Sequence, residues 1–99
     1  MAEQEQAESI NFSAFVLSLA TTAAVHFGDL GDPASGEKHE PDLVAAGQMI
    51  DILALLQDKT RGNLDRDEEQ LLSQVLYELR MRFVEVRDRG QGQKRIILP

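Results

Sequence analysis

The sequence predicts an all-α fold of three main helices, at about residues 12–27, 43–60 and 66–88. Three observations carry this reading. Apolar residues recur at helical spacing in three separate stretches. Each stretch opens on a residue suited to capping a helix, and a glycine follows each of the first two. No run alternates in the period-2 pattern of a half-buried strand. Ninety-nine residues suffice for one domain with one core. The expected arrangement is an antiparallel hairpin of the second and third helices, with the first packed across it.

In chain order, residues 1–9, "MAEQEQAES", read as a disordered leader, and residues 10–89 as a single helical domain. Asn11 precedes the first helix as an N-cap and Gly28 follows it as a left-handed stop. Phe12, Phe15, Val16, Leu19, Ala20, Ala23 and Phe27 fall on one broad face at 100° per residue. The opposite face holds Ser18, Thr21, Thr22 and Val25. From Phe12 to Gly28 there is no Asp, Glu, Lys or Arg, although 27% of the chain is charged. A helix face meeting water in such a chain is expected to carry Glu or Lys. Small uncharged side chains instead let another backbone approach, so Ser18, Thr21, Thr22 and Val25 are the expected interface of a homodimer.

The linker "DLGDPASGEKHEPD" cannot continue a helix, and "DPASG" within it reads as a turn with Pro33 pre-set for its second position. Asp42 caps the second helix, and Gly62 follows its end. The second helix has a wide apolar arc, expected of a helix with neighbours on two sides. Gly47 within it costs about 1 kcal/mol relative to Ala, and a close helix crossing would be a sufficient reason for it.

Asp65 with Glu68 forms a capping-box pattern at the start of the third helix, in its Asp variant. Leu72, Val75, Leu76, Leu79, Phe83 and Val86 then make one stripe, with Tyr77, Met81 and Val84 on a sparser second face. This helix is expected to stop near Asp88, before Gly90. Residues 90–99, "GQGQKRIILP", read as a flexible basic and apolar tail.

With these segments placed, a resemblance emerges. "FSAFVLSLATTAAVHFGD", "DPASGE", "QMIDILALLQDKTRGNL" and "EEQLLSQVLYELRMRFVEV" together resemble a small bacterial family known as domain of unknown function 1844. The resemblance covers about residues 10–88, and "SLAT", "IDILALL", "KTRGNL" and "VLYELR" are its most specific pieces. It implies a short, all-helical cytosolic protein with no assigned activity, and it brings no catalytic residues.

Composition excludes several function classes. Without Cys there is no disulfide, no zinc–thiolate site and no cysteine nucleophile, which suits a reducing, cytoplasmic setting. His26 and His39 are the only histidines, and the loop acids near them lack the spacing of a zinc or calcium site. No metal, cofactor or catalytic residue is therefore expected. Residues 1–79 carry four cations against fifteen acids, a net charge of −11, whereas residues 80–99 carry a net +4. An acidic body disfavours nucleic acid, because counterion release needs a cationic face. The charge-free stretch is preceded by Glu3, Glu5 and Glu8 rather than by Lys or Arg, unlike an export signal. Its seventeen residues rise about 25 Å, short of a membrane core of about 30 Å.

The leading expectation is thus a non-enzymatic protein-interaction or scaffolding module that self-associates through helix 1, with an unidentified protein partner as a further candidate. Two alternatives stand beside it. One is a small-ligand or enzymatic site between helices that uses Arg80, Arg82 and Arg87. The other is a membrane-peripheral protein that uses helix 1.

Overall fold

A computed structural model describes the backbone of residues 10–97 and the side chains of residues 10–90. The expected leader, residues 1–9, lies outside the described residues, as do the side chains of the tail beyond Gly90.

Helix α1 spans Phe12–Phe27. The Asn11 side chain accepts the Ala14 N–H at 2.8 Å and so satisfies one of the free donors of the first turn. At the other end Gly28 turns left-handed, with φ of 84°. Its N–H reaches the Val25 carbonyl at 3.0 Å and the Asp29 N–H reaches the Ala24 carbonyl at 2.9 Å, the paired bonds of a Schellman motif. A Cβ at Gly28 would stand 2.7 Å from the His39 carbonyl oxygen. Both the backbone angle and the close linker therefore demand glycine.

The linker folds back on itself. The Asp32 carboxylate accepts the Ala34 N–H at 2.7 Å, and the Asp32 carbonyl accepts the Gly36 N–H at 2.7 Å, closing the turn expected over "DPASG". The Asp42 N–H then donates to the His26 carbonyl at 2.7 Å, which fixes the start of the next helix beside the end of α1.

Helix α2 spans Leu43–Lys59, opened by the Asp42 carboxylate accepting the Ala45 N–H at 3.0 Å. Helix α3 spans Arg66–Ile97. Its capping box is formed in both directions: the Glu68 N–H donates to Asp65 at 2.8 Å and the Asp65 N–H to Glu68 at 2.9 Å. The expected stop near Asp88 is corrected, because α3 passes through Gly90 and reaches Ile97. Glycine weakens a helix interior by about 1 kcal/mol without blocking it. Gly90 is not among the glycines with positive φ, so it does not reverse the chain.

The three helices pack pairwise around an entirely apolar core, as the sequence predicts. Val16, Ala23 and Phe27 come from α1, Ala46, Ile50 and Leu53 from α2, and Leu72, Val75, Leu76 and Val86 from α3. No polar or charged residue is buried among the described residues. Phe15 departs from expectation. It lies about 100° from Val16, at the edge of the buried stripe, and remains 41% exposed.

Candidate functional site

The geometry of α1 concentrates its unusual composition on its outer side. Ser18, Thr21 and Thr22 are exposed and Val25 is half-buried. All three hydroxyls are spent within the helix. Ser18 Oγ donates to the Phe15 carbonyl at 2.7 Å, Thr21 Oγ1 to Leu17 at 2.9 Å and Thr22 Oγ1 to Ser18 at 3.1 Å. Such back-bonding folds the hydroxyl onto the helix and leaves the methyl and methylene groups outermost. The face is consequently less polar than its residue types indicate. Leu17 is 50% exposed beside it, which extends the apolar character.

The groups offered by the sequence for chemistry are dispersed. Arg82 turns to the linker, where Nε meets Asp29 Oδ2 at 2.9 Å and a terminal nitrogen meets Oδ1 at 2.5 Å. The hydrogen bond from Arg82 holds the Asp29 carboxyl below its ordinary range, and the same contact raises the Arg82 guanidinium further. Arg87 pairs with the adjacent Asp88 at 3.3 Å. Arg80 flanks a groove between α2 and α3. The three arginines thus do not converge on one pocket. His39 Nε2 lies 3.5 Å from Asp32, whose carboxyl is lowered mainly by the Ala34 N–H. His26 is half-buried in the last turn of α1. No group of three or more potential metal ligands occurs among the described residues.

Two of the concavities beside the helices adjoin the α2–α3 pair. One, of about 390 Å³, sits where α2 turns into α3 and is bordered by Gln57, Thr60, Arg61, Leu64 and Ser73. Gln57 and Ser73 already hydrogen-bond each other across it at 3.2 Å. The other, about 380 Å³, is the groove between α2 and α3, with Gly47, Ile50, Phe83 and Val84 as its apolar lining and Asp51 and Arg80 at its margins. Among the described residues, neither Asp51 nor Arg80 forms an ion pair. A Cβ on Gly47 would sit 3.5 Å from the Phe83 ring, an ordinary contact. The helix crossing expected to require Gly47 is therefore close without excluding a methyl group.

The family model described as Domain of unknown function (DUF1844) matches residues 9–85. The chain belongs to this family. DUF1844 membership accords with the resemblance read from "SLAT", "IDILALL", "KTRGNL" and "VLYELR", and it assigns no activity. No curated protein matches the chain, and no solved structure does. In this DUF1844 chain no described helix is long and apolar enough to cross a membrane.

The outer face of α1 therefore stands out by what it lacks. Another exposed apolar surface, Tyr77, Met81 and Val84 on α3, is interleaved with Glu78, Arg80 and Glu85. That pattern suits a solvated helix face. The α1 face has no such charges. Its low polarity is only half legible in sequence: the absence of charge is visible, but the hydroxyl back-bonding is not.

Proposed function

We propose that this DUF1844 chain is a small, non-enzymatic protein-interaction module of the cytoplasm, which self-associates through the outer face of α1. One observation carries the reading. Among the described residues the core is wholly apolar, while the charge-free helix α1 presents an exposed face whose hydroxyl protons are already donated to backbone carbonyls. Covering that face costs little desolvation, because few polar groups lose a water partner. Leaving it bare gives a chain of net charge −7 an outer helix face without charge. Among the described residues no polar or charged side chain is buried, which supports binding rather than catalysis as its use.

Light scattering on the unmodified chain and on a Ser18→Glu/Thr22→Lys variant tests the reading. The new pair is spaced i,i+4 in the orientation that favours a helix, and it leaves net charge unchanged. A loss of oligomer in the variant, with helicity by circular dichroism retained, is the expected result. An oligomer of equal mass in both proteins removes α1 from the interface.

A further inference from the structure

Helices α2 and α3 run antiparallel, since Gly47 lies against Phe83 and Gln57 bonds Ser73. Such a pair leaves a groove on either side of its contact line. One is filled by α1, whose Val16, Ala23 and Phe27 meet the buried residues of α2 and α3. The other, of about 380 Å³, is bordered by no residue of α1 among the described residues. Gly47, Ile50, Phe83 and Val84 form its apolar lining. At 100° per residue Gly47 and Asp51 stand one step round α2 from the buried Ala46 and Ile50, so this groove opens away from the core. The antiparallel register sets Asp51 level with Arg80 on the facing walls. Both are exposed, and neither forms an ion pair among the described residues. One heptad along each wall the charges are already matched, Asp58 by Arg61 at 3.1 Å and Arg87 by Asp88 at 3.3 Å.

We propose that this groove binds an amphipathic helix of a partner protein, with its apolar stripe on Gly47, Ile50, Phe83 and Val84, a basic edge against Asp51 and an acidic edge against Arg80. The proposal does not depend on the α1 face. Shape argues for a helix. The groove is open to solvent, so a small molecule would keep much of its surface wet, unlike the occupant of a ligand pocket. Among the described residues there is no strand edge to pair with an extended peptide. Gly47 adds a second argument. Packing within the chain does not demand glycine there, because a Cβ would meet Phe83 at an ordinary 3.5 Å. The close approach of another helix does demand a small residue. Charge argues for the edges. Covering Asp51 or Arg80 with apolar groups would leave a charge with neither water nor partner. An occupant of one sign fails at one wall: an anionic membrane or a nucleic acid meets Asp51, and a polycation meets Arg80. The exposed face of α1 in a second copy brings neither sign. A helix with Lys or Arg along one edge of its stripe and Asp or Glu along the other matches both walls, as edge charges do in coiled coils.

Fluorescence anisotropy of a labelled synthetic helix of about 18 residues tests the proposal. The probe carries Leu at helical spacing, Lys along one edge and Glu along the other, and no net charge. The full chain is compared with Asp51→Lys, Arg80→Glu and the double variant, each checked for helicity by circular dichroism. The probe should bind the unmodified chain, and each single reversal should weaken binding about tenfold by setting like charges face to face. The double variant should recover, because the probe turned end for end presents its edges exchanged. A double variant as weak as the singles overturns the two-walled pattern. So does a probe with Lys on both edges that binds as tightly as the mixed one, since only the net charge of −7 is then read. Absence of binding up to about 1 mM overturns the proposal outright. Gly47→Ala and Gly47→Met should lower affinity in order of side-chain size with helicity kept, and unchanged affinity in both overturns the seat. Sedimentation equilibrium separates the remaining occupant. The mass of the chain should be the same in Asp51→Lys as in the unmodified protein, and a fall from dimer to monomer would put a second copy in the groove and overturn the proposal.

Discussion

Arg82 grips Asp29 with two nitrogens on two carboxylate oxygens, joining the middle of α3 to the residue that follows the α1 stop. The pair ties the linker to the bundle across a sequence separation of 53 residues. Bidentate geometry makes it stronger than a loose surface contact. Both side chains are about one-third exposed, at 32% and 35%, so solvent screens much of the attraction. Replacing Arg82 with Ala should cost about 1 kcal/mol in urea unfolding. Asp29→Asn should cost a similar amount, and the double variant should lose less than the sum. Additive losses would show that the two groups act independently.

Acid should weaken the same contact. The folded Asp29 carboxyl titrates below its ordinary value of 3.8, chiefly because Arg82 hydrogen-bonds its charged form. Asp32 is lowered too, chiefly by the Ala34 N–H. A lowered carboxyl contributes stability that is fully present above the unfolded value and is lost as pH falls through the folded one. Urea midpoints should therefore drop below about pH 4. That drop should be shallower in Asp29→Asn than in the unmodified chain, and identical slopes would assign the acid sensitivity elsewhere.

Two glycines should answer differently to alanine. Gly28 combines a φ of 84° with a carbonyl oxygen 2.7 Å from the place of the new Cβ. Gly28→Ala should therefore lose about 1–3 kcal/mol. Gly47 lies mid-helix with room for a methyl group against Phe83. Gly47→Ala should gain up to about 1 kcal/mol from helix propensity. Thermal melts of the two single variants check both signs.

The core makes a further stability prediction. Leu53 of α2 and Leu72 in the second turn of α3 are fully buried. Truncating either to Ala should cost about 2–5 kcal/mol. For a chain of this size that is a large part of the total, so both variants should be partly unfolded at physiological temperature. A loss below 1 kcal/mol in both would mean that the three helices do not share one core.

Local chemistry was legible in the sequence, and long-range pairing was not. Asn11, Asp42 and the Asp65–Glu68 box mark helix starts because a cap bonds within three residues of itself. Periodicity likewise located Val16, Leu53 and Leu76 in the core. Gly90 misled because a glycine after a polar stretch marks a stop only where the backbone turns left-handed, as at Gly28. Arg80, Arg82 and Arg87 looked like one cationic group by proximity. Residues two apart on a helix point about 200° apart, and only the folded chain brings Asp29 to Arg82. The outer face of α1 was recognised by its missing charge, but the half-burial of Val25 and the 41% exposure of Phe15 at the edge of the buried stripe were not.

The molar mass of the unmodified chain at tens of micromolar, by sedimentation equilibrium, is the most direct test of whether protein covers the bare side of α1. Pairing gives about 22 kDa, twice the 11.0 kDa of one chain. A single 11.0 kDa species throughout that concentration range would mean that the uncharged face stays open to water, and self-association would be withdrawn.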